Sequence, residues 1–197
     1  MQEAEVGKLI LILGSSGAGK GTVLTALKER HGEYVFPLSC TTRDPRPGEK
    51  DGDIYHFVEK DEFKQRIEVG DFLEWAVVHG ENYYGTLKQS ILKPLLEGKT
   101  VIREVDVQGL RSITELVPAV IPEGALKSIF VTVDDWETLK ARILGRSDIP
   151  DEEIERRRQS FLVESEWADE CDVVIENNEG KIKKFVSDVE DAIESMV

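Results

Sequence analysis

The stretch KLILILGSSGAGKGT, residues 8–22, decides the fold of this chain. The aliphatic run from Lys8 to Leu13 ends in glycine, which is the pattern of a strand buried on both faces of a sheet. The residues from Lys20 to Arg30 then follow with helical spacing of their apolar side chains. A buried strand, a glycine-rich turn and a helix in this order predict the first unit of an α/β protein.

The glycine-rich turn matches the G-x-x-x-x-G-K part of a phosphate-binding loop, in the strand-to-helix context that this motif requires. Its glycines let backbone N–H groups turn toward phosphate oxygens, and Lys20 can reach the terminal phosphates of a nucleoside triphosphate. Gly21 stands where the motif usually has the serine or threonine that binds magnesium, so we expect the Thr22 hydroxyl to meet a phosphate. The predicted triphosphate-binding residues are Gly14, Ser15, Ser16, Gly17, Ala18, Gly19, Lys20, Gly21 and Thr22.

The composition limits the classes of protein to consider. The chain has 197 residues, of which 40% are hydrophobic and 32% charged, and this predicts one globular domain that needs no disulfide or metal for stability. The formal net charge of −14 argues against binding to a nucleic acid polymer or to an anionic membrane surface, because both require basic patches. The net charge does not exclude the binding of small anionic ligands, because their binding depends on the local electrostatic field.

The cysteines and the apolar runs indicate the compartment. Cys40 and Cys171 form no C-x-x-C pair, so we expect two reduced thiols, although one long-range disulfide stays open. The amino-terminal apolar run is too short for a signal peptide, and no run approaches the length of a membrane helix. These features predict a cytoplasmic protein.

Strand and helix patterns alternate along the rest of the chain, which predicts a parallel sheet with right-handed crossovers. The strand-like runs are Lys8–Leu13, Tyr34–Leu38, Ile54–Val58, Val101–Val107, Lys127–Val133 and Asp172–Glu176. The helical runs are Lys20–Arg30, Lys60–Val69, Gln108–Leu116, Trp136–Leu144, Asp151–Trp167 and Lys181–Met196.

Two segments depart from this alternation. The stretch from Ser39 to Tyr84 mixes prolines and charges with short aromatic strands, which predicts an inserted subdomain. The charged segment from Arg146 to Arg158 predicts a mobile, solvent-facing flap.

A second anion site is predicted where two arginines stand three apart in a proline-stiffened loop. The planar guanidinium groups of Arg43 and Arg46 suit bidentate capture of a phosphate, and Tyr55 on the next strand can add a hydroxyl donor. In isolation, a surface loop with two solvated arginines would be an equally good interpretation.

Four stretches of the sequence resemble guanylate kinases, and together they span nearly the whole chain. They are Gly14–Thr22, Ser39–Phe57 with its S-x-T-T-R-x-P-R-x-G-E motif, Glu74–Gly80 followed by Asn82–Thr86, and Glu104–Gly109. The resemblance implies a P-loop kinase core with a parallel sheet flanked by helices (about 1–38, 91–133 and 167–197). It also implies an inserted mixed α/β subdomain that binds GMP (about 39–90) and a helical lid (about 134–166). The implied reaction is direct transfer of the γ-phosphoryl group of ATP to GMP, with Mg²⁺, giving ADP and GDP.

The resemblance also implies which residues bind GMP, and dGMP is an expected acceptor. The implied phosphate contacts are Arg43, Arg46, Tyr55 and Tyr84, and the implied guanine contacts are Ser39, Glu74, Thr86 and Asp106. Guanine presents N1–H and a 2-amino group as donors, which suits carboxylates, whereas the N1 of adenine would present a lone pair to them. A site built on such hydrogen bonds can discriminate by roughly 10⁴-fold, because the wrong base leaves buried acceptors unpaired.

On the ATP side, the resemblance points to arginines of the lid and to one asparagine. Arg142, Arg146 and Arg157 match the arginines that close over the ATP phosphates, and with Lys20 and Arg43 they form the implied catalytic set. Positive charge is needed there because the transferring phosphoryl group spreads negative charge over its oxygens. Arg156 and Arg158 are expected to pair with helix acids instead. Asn177 is the implied adenine contact.

No direct metal ligand is assigned. Glu104 is the candidate for orienting the waters of a magnesium ion, and a structural role in fixing the loop is its alternative. Four departures from the family pattern stand out: Glu81 is an insertion, Arg103 replaces an aliphatic residue, Val133-Asp134-Asp135 stands where a proline-rich turn is common, and Ser147 replaces a glycine. Arg103 therefore indicates a strand that is less buried or that pairs with an acid. A kinase for another nucleoside monophosphate and a non-catalytic interaction module remain alternatives.

Overall fold

Two four-stranded sheets organise the chain in this computed structural model, which describes residues 6–78, 81–145 and 149–197. The strands are β1 (Leu9–Gly14), β2 (Ser39–Thr41), β3 (Tyr55–Phe57), β4 (Phe72–Val78), β5 (Asn82–Leu87), β6 (Val101–Glu104), β7 (Leu126–Thr132) and β8 (Val173–Glu176). The helices are α1 (Lys20–Arg30), α2 (Lys60–Glu68), α3 (Lys88–Leu96), α4 (Val107–Val120), α5 (Trp136–Leu144), α6 (Asp151–Ser165) and α7 (Ile182–Met196). A short 3₁₀ helix covers Ala168–Glu170.

The first sheet is parallel, with strand order β6-β1-β7-β8, and is flanked by helices. Every side chain of β1 from Leu9 to Leu13 is fully buried. Alternate residues of this strand enter two different cores. Ile10 and Ile12 pack with Phe185 of α7 on one face, whereas Leu11 packs with Leu110 of α4 on the other. The continuous aliphatic run of the sequence therefore reflects a central strand covered on both faces, as predicted.

The second sheet is mixed, with strand order β3-β2-β5-β4. Its strands β2 and β3 run parallel, and β5 runs antiparallel to β2 and β4. Helix α2 covers it through Phe63, whose ring lies 4.2 Å from that of Phe72. Gly85 faces this pair, and a Cβ there would come within 2.9 Å of the Phe72 ring and 3.0 Å of Phe63. The absence of a side chain at Gly85 thus lets the two aromatic rings pack directly on the sheet.

The structure departs from the predicted elements at several positions. The apolar run at Tyr34–Leu38 forms only an isolated bridge from Val35 to Val101, because its proline and loop residues do not continue the ladder. Helix α3, which contains Pro94, was not predicted. Helix α6, in contrast, matches the predicted helical run Asp151–Trp167 within two residues, and every side chain in it is at least partly exposed.

Two further observations bear on the class of protein. Of the helices in the described part of the chain, none is both long and apolar enough to cross a membrane. The two cysteines are free: Cys40 is buried in the core of the second sheet and Cys171 is half-buried before β8. Burial raises the pKa of both thiols, which favours their protonated form.

Candidate active site

The glycine-rich loop leaves the carboxyl end of β1 and enters α1 at Lys20. Gly14 has φ of 133°, and a Cβ at this position would lie 1.9 Å from the Val131 carbonyl oxygen of β7. Gly19 has φ of 111°, and a Cβ there would lie 2.3 Å from the Asn177 amide nitrogen. Both positions therefore require glycine, for backbone conformation and for space. The loop borders a cavity of about 1110 Å³ that is also lined by Glu104.

Lys20 lies folded over its own loop. Its Nζ donates to the carbonyl oxygens of Gly14 at 2.6 Å and Ser15 at 3.2 Å, and lies 3.7 Å from Glu104 Oε1. The ammonium group is thus held at the mouth of the loop by neutral acceptors and one carboxylate. An incoming polyphosphate would offer it stronger, charged acceptors. Thr22 also lines this cavity, at the end of the loop.

Asn177 connects the loop to α5. Its side-chain Nδ2 donates to the Ala18 carbonyl at 2.7 Å, and its backbone carbonyl accepts from Arg142 Nη2 at 2.7 Å. Asn177 is 6% exposed, while Nη1 of Arg142 is buried without a hydrogen-bond partner among the described residues. The structure therefore places both residues against the loop, and the Asn177 amide nitrogen already has a partner in the protein.

Arg157 is the arginine of α6 that faces the loop. Its Nη1 lies 3.3 Å from Ser16 Oγ, and its Nε donates to Glu153 Oε1 at 2.8 Å. The Arg157 guanidinium lowers the pKa of the Glu153 carboxyl. The neighbouring arginines pair on the helix surface, Arg156 with Glu153 and Arg158 with Glu155, as the sequence indicated. Arg146, a member of the predicted catalytic set, lies outside the described residues.

The Arg43–Arg46 loop is organised by Glu49. Its Oε2 accepts from Arg43 Nη2 at 2.8 Å and from the Arg46 backbone N–H at 2.8 Å. The backbone N–H of Arg46 and then the Arg43 guanidinium hold the pKa of Glu49 below its usual value, and the same carboxylate raises the pKa of Arg43. Tyr55 and Tyr84 lie beside Arg43 with their rings 5.7 Å apart. Three of the four predicted phosphate contacts, Arg43, Tyr55 and Tyr84, thus lie together, and the side chain of the fourth, Arg46, is exposed on the same loop as Arg43.

Glu74 of β4 is the centre of a second polar cluster. Its Oε1 accepts from the hydroxyl of Thr86, which is fully buried on β5, and from Arg103 Nη2 at 3.3 Å. The same nitrogen of Arg103 donates to Ser39 Oγ at 2.9 Å. Three of the four predicted guanine contacts are therefore brought together, and Arg103 joins them. The fourth, Asp106, caps α4 by accepting from the Gly109 N–H at 2.7 Å and lines the cavity of the loop.

Strand β6 connects the two clusters. Arg103 reaches Glu74, while the next residue, Glu104, reaches Lys20. Successive side chains of a strand point to opposite faces, so the end of β6 contacts the cluster around Glu74 on one face and the phosphate-binding loop on the other.

A phosphate-binding loop on the central strand of a parallel sheet, faced by arginines from two helices, defines a P-loop kinase. The comparisons with known proteins narrow this class. A family model described as guanylate kinase matches residues 6–196, and the chain belongs to this family.

Individual relatives give the same result. A guanylate kinase of Nostoc sp. is 41% identical over 173 residues, which are 88% of this chain and 83% of that protein. A guanylate kinase of Clostridium perfringens (strain 13 / Type A) is 45% identical over 181 residues, or 91% of this chain and 81% of that protein. The crystal structure of guanylate kinase from Anaplasma phagocytophilum has the same fold, with a TM-score of 0.70, 24% identity, and coverage of 97% of this chain and 86% of that chain.

The sequence did not single out Glu49 and Glu153 as supports of the site. Both lie within six positions of the arginine they hold, so spacing on a loop or a helix could have indicated them. The link from Asn177 to Ala18 spans 159 positions and had no local signal.

Proposed function

We propose that this guanylate kinase transfers the γ-phosphoryl group of ATP to GMP, and to dGMP, at the junction between its two sheets. One observation carries the proposal: consecutive residues of β6 reach a phosphate-binding lysine and a carboxylate cluster suited to guanine. The two substrates would thus meet across the end of a single strand.

We assign the binding of the guanine base to the cluster around Glu74. A carboxylate with Thr86 and Ser39 nearby offers acceptors for the N1–H and 2-amino groups of guanine. Adenine would turn a lone pair toward the carboxylate, so AMP is excluded on electrostatic grounds. Asp106, at the start of α4, would contribute a further carboxylate from the side of the loop.

The GMP phosphate is assigned to Arg43, Arg46, Tyr55 and Tyr84. The second pKa of a phosphate monoester is about 6, so the acceptor oxygen is ionised near neutral pH and needs no strong general base. Catalysis then consists of positioning and charge stabilisation, in a direct in-line transfer without a covalent enzyme intermediate.

The transferring phosphoryl group would be surrounded by Lys20, Arg43, Arg142, Arg146 and Arg157. The described members of this set come from the loop, the second sheet, α5 and α6, so the elements must approach one another when both substrates are bound. We assign residues 39–90 to GMP binding and residues 134–166 to the lid. Approach of these segments would exclude water, which would otherwise accept the phosphoryl group.

The residues of the site fit a magnesium ion that arrives with the nucleotide. Gly21 follows Lys20, and the described residues form no cluster of three or more His, Cys, Asp or Glu side chains that could hold a metal. Glu104, 3.7 Å from Lys20, is the acid placed to accept from a metal-bound water. When bound, Mg²⁺ neutralises charge on the β- and γ-phosphates.

We assign the protein to the cytoplasm, because the reaction needs a common pool of ATP and GMP.

The proposal is tested by offering GMP, dGMP, AMP, UMP and CMP with MgATP and measuring the diphosphate formed. We expect turnover with GMP and dGMP and a decrease of roughly 10⁴-fold in kcat/KM with AMP. Equal or greater turnover of AMP would contradict the guanine assignment. Lack of MgATP binding in calorimetry would instead favour a non-catalytic module. Replacing the lysine of the phosphate-binding loop, Lys20→Ala, should lower the turnover of GMP. The variant Lys64→Ala, which changes an exposed lysine of α2, serves as its control.

A further inference from the structure

A buried arginine lies in the guanine cluster, at the position where the family resemblance leads us to expect an aliphatic side chain. The Arg103 side chain is 13% exposed and the Glu74 side chain 22% exposed. Arg103 Nη2 lies 2.9 Å from Ser39 Oγ and 3.3 Å from Glu74 Oε1, and Nη1 lies 3.2 Å from the Pro37 carbonyl. Burial lowers the pKa of the guanidinium, and the charge of Glu74 opposes this effect. The two side chains form an ion pair within the protein.

This ion pair changes what Glu74 needs from a base. A carboxylate oxygen has two lone pairs, and both lone pairs of Oε1 are engaged, one by the Thr86 hydroxyl and one by Arg103. Only Oε2 remains for the base. In addition, the guanidinium neutralises the charge of Glu74, so this carboxylate is not left unpaired when a base offers fewer donors.

A site rejects a substrate analogue strongly when the analogue leaves buried polar groups without partners. Hypoxanthine keeps the N1–H and the 6-oxo group of guanine and lacks only the 2-amino group. With Oε1 already satisfied, the single N1–H can serve Oε2. The other implied guanine contact, Asp106, accepts from the Gly109 N–H and is exposed to water, so the missing amino group leaves no buried charged acceptor unpaired. Adenine still presents a lone pair to Oε2 and is still rejected.

We propose that Arg103 is a specificity-determining residue that widens the acceptor range to 6-oxopurine nucleoside monophosphates without a 2-amino group, such as inosine monophosphate (IMP). The proposal rests on the function given above, since it concerns the same base site. Arg103 acts through Glu74 and Ser39 and is therefore a positioning residue.

The first test uses the unmodified protein. The ratio of kcat/KM for GMP to that for IMP is measured at saturating MgATP, with the IDP formed identified by chromatography. We expect a ratio below about 10³, whereas a site whose buried acceptors were left unpaired would give about 10⁴ to 10⁵. A ratio in that upper range overturns the proposal about Arg103 and leaves the guanylate kinase function intact. Lack of turnover of GMP overturns the function itself.

The second test changes Arg103. In Arg103→Leu, Oε1 of Glu74 keeps only the Thr86 hydroxyl and the carboxylate loses its paired charge, so Glu74 depends on a second donor of the base. We therefore expect the ratio to rise by about tenfold or more. Arg103→Lys retains the charge with a less suitable geometry and should give an intermediate ratio. Arg111→Leu is the matched control, because Arg111 is 71% exposed on α4 and pairs with Glu115 within that helix.

The two outcomes of this second test are distinct. A ratio that rises in Arg103→Leu and is unchanged in Arg111→Leu supports the proposal, since a merely structural role would reduce both activities together. An unchanged or lower ratio in Arg103→Leu, with the melting curve showing a folded protein, overturns it. If Arg103→Leu does not fold, the proposal is tested by the ratio of kcat/KM for GMP to that for IMP in the unmodified protein and in Arg103→Lys.

Discussion

At the scale of single residues, three cations of the site lie beside internal acids. Arg43 pairs with Glu49, Arg157 with Glu153, and Lys20 lies near Glu104. Each pairing keeps a long side chain in place, and each phosphate that binds must compete with a resident carboxylate. An acidic protein can thus bind phosphates, because a few cations at fixed positions set the local field.

Two substitutions should separate the two anion sites. Arg46→Ala removes one charged phosphate contact of the acceptor, so we expect KM for GMP to rise about 10- to 100-fold while KM for ATP changes little. Lys20→Ala removes a donor aimed at the transferring group, so we expect kcat to fall about 10²- to 10³-fold. Steady-state kinetics with each substrate varied in turn measure both effects. The reverse pattern would mean that the two sites are assigned the wrong way round.

The acids that support these cations were less visible in the sequence than the cations themselves. Arginines in a proline-stiffened loop indicate an anion site by chemistry alone, whereas Glu49 is one acid among 39 acidic residues. Arg103 was visible as a departure, and pairing with an acid was one of its two predicted explanations. Its partner, Glu74, lies 29 positions away, so only the folded sheet could identify it.

At the scale of secondary-structure elements, the phosphate-binding loop is held in place by the segment that follows β8. Asn177 donates to Ala18 in the loop and accepts from Arg142 in α5. Asn177 therefore connects the loop, through its side-chain amide, to helix α5, through its backbone carbonyl. Helix α5 itself begins at an aspartate cap, Asp135, whose carboxylate accepts from the Thr138 N–H at 2.8 Å.

The substitution Asn177→Ala tests this connection. The Ala18 carbonyl would lose its buried donor, so we expect the free energy of unfolding to fall by about 1–3 kcal/mol, measured by urea denaturation. KM for ATP should rise severalfold, because the loop loses its buried donor, whereas the backbone carbonyl that accepts from Arg142 is kept in alanine. Gln65→Ala, at an exposed amide of α2, should leave both quantities unchanged. An unaltered stability of Asn177→Ala would show that the hydrogen bond does not hold the loop.

The predicted bounds were accurate where apolar residues recur with regular spacing. Helices α1 and α5 match the predicted runs at both ends, and β1 and α7 lie within one residue of them. The predicted strand at Val101–Val107 was too long: β6 ends at Glu104, because Asp106 caps the next helix. Helix α3 was not predicted, and Pro94 lies inside it.

At the scale of the whole molecule, the carboxyl-terminal helix is held to the first helix by a charged cluster. Glu190 of α7 accepts from Arg30 Nη1 at 3.0 Å and lies 3.2 Å from His31 Nε2. Glu33 lies 3.1 Å from His31 Nδ1, and the ring of Tyr34 is stacked on that of His31 at 4.6 Å. Burial lowers the pKa of His31, but the hydrogen bonds to Glu33 and Glu190 more than offset it and raise the pKa above 6.5.

This cluster predicts the pH dependence of stability. A histidine whose pKa is raised by folding stabilises the native state fully below its unfolded pKa of about 6.5, and the stabilisation is lost as the pH rises through the folded pKa. We therefore expect the stability difference between the protein and His31→Phe, which keeps the stacked ring, to decrease from pH 6 to alkaline pH. Urea midpoints measure the difference. His56→Phe is the control, and a difference that grows with pH would contradict the assignment.

The central position of β1 has a consequence for motion. Its residues Leu9–Leu13 are fully buried and hydrogen-bonded to strands on both sides, whereas β2 and β3 of the second sheet have three residues each. Local opening requires the most free energy where burial and pairing are most complete. We therefore expect the amides of β1 to exchange with deuterium only through global unfolding, and those of the second sheet through smaller openings. The triphosphate-binding loop directly follows this strand, so other elements can close around the bound nucleotide while the loop keeps its position.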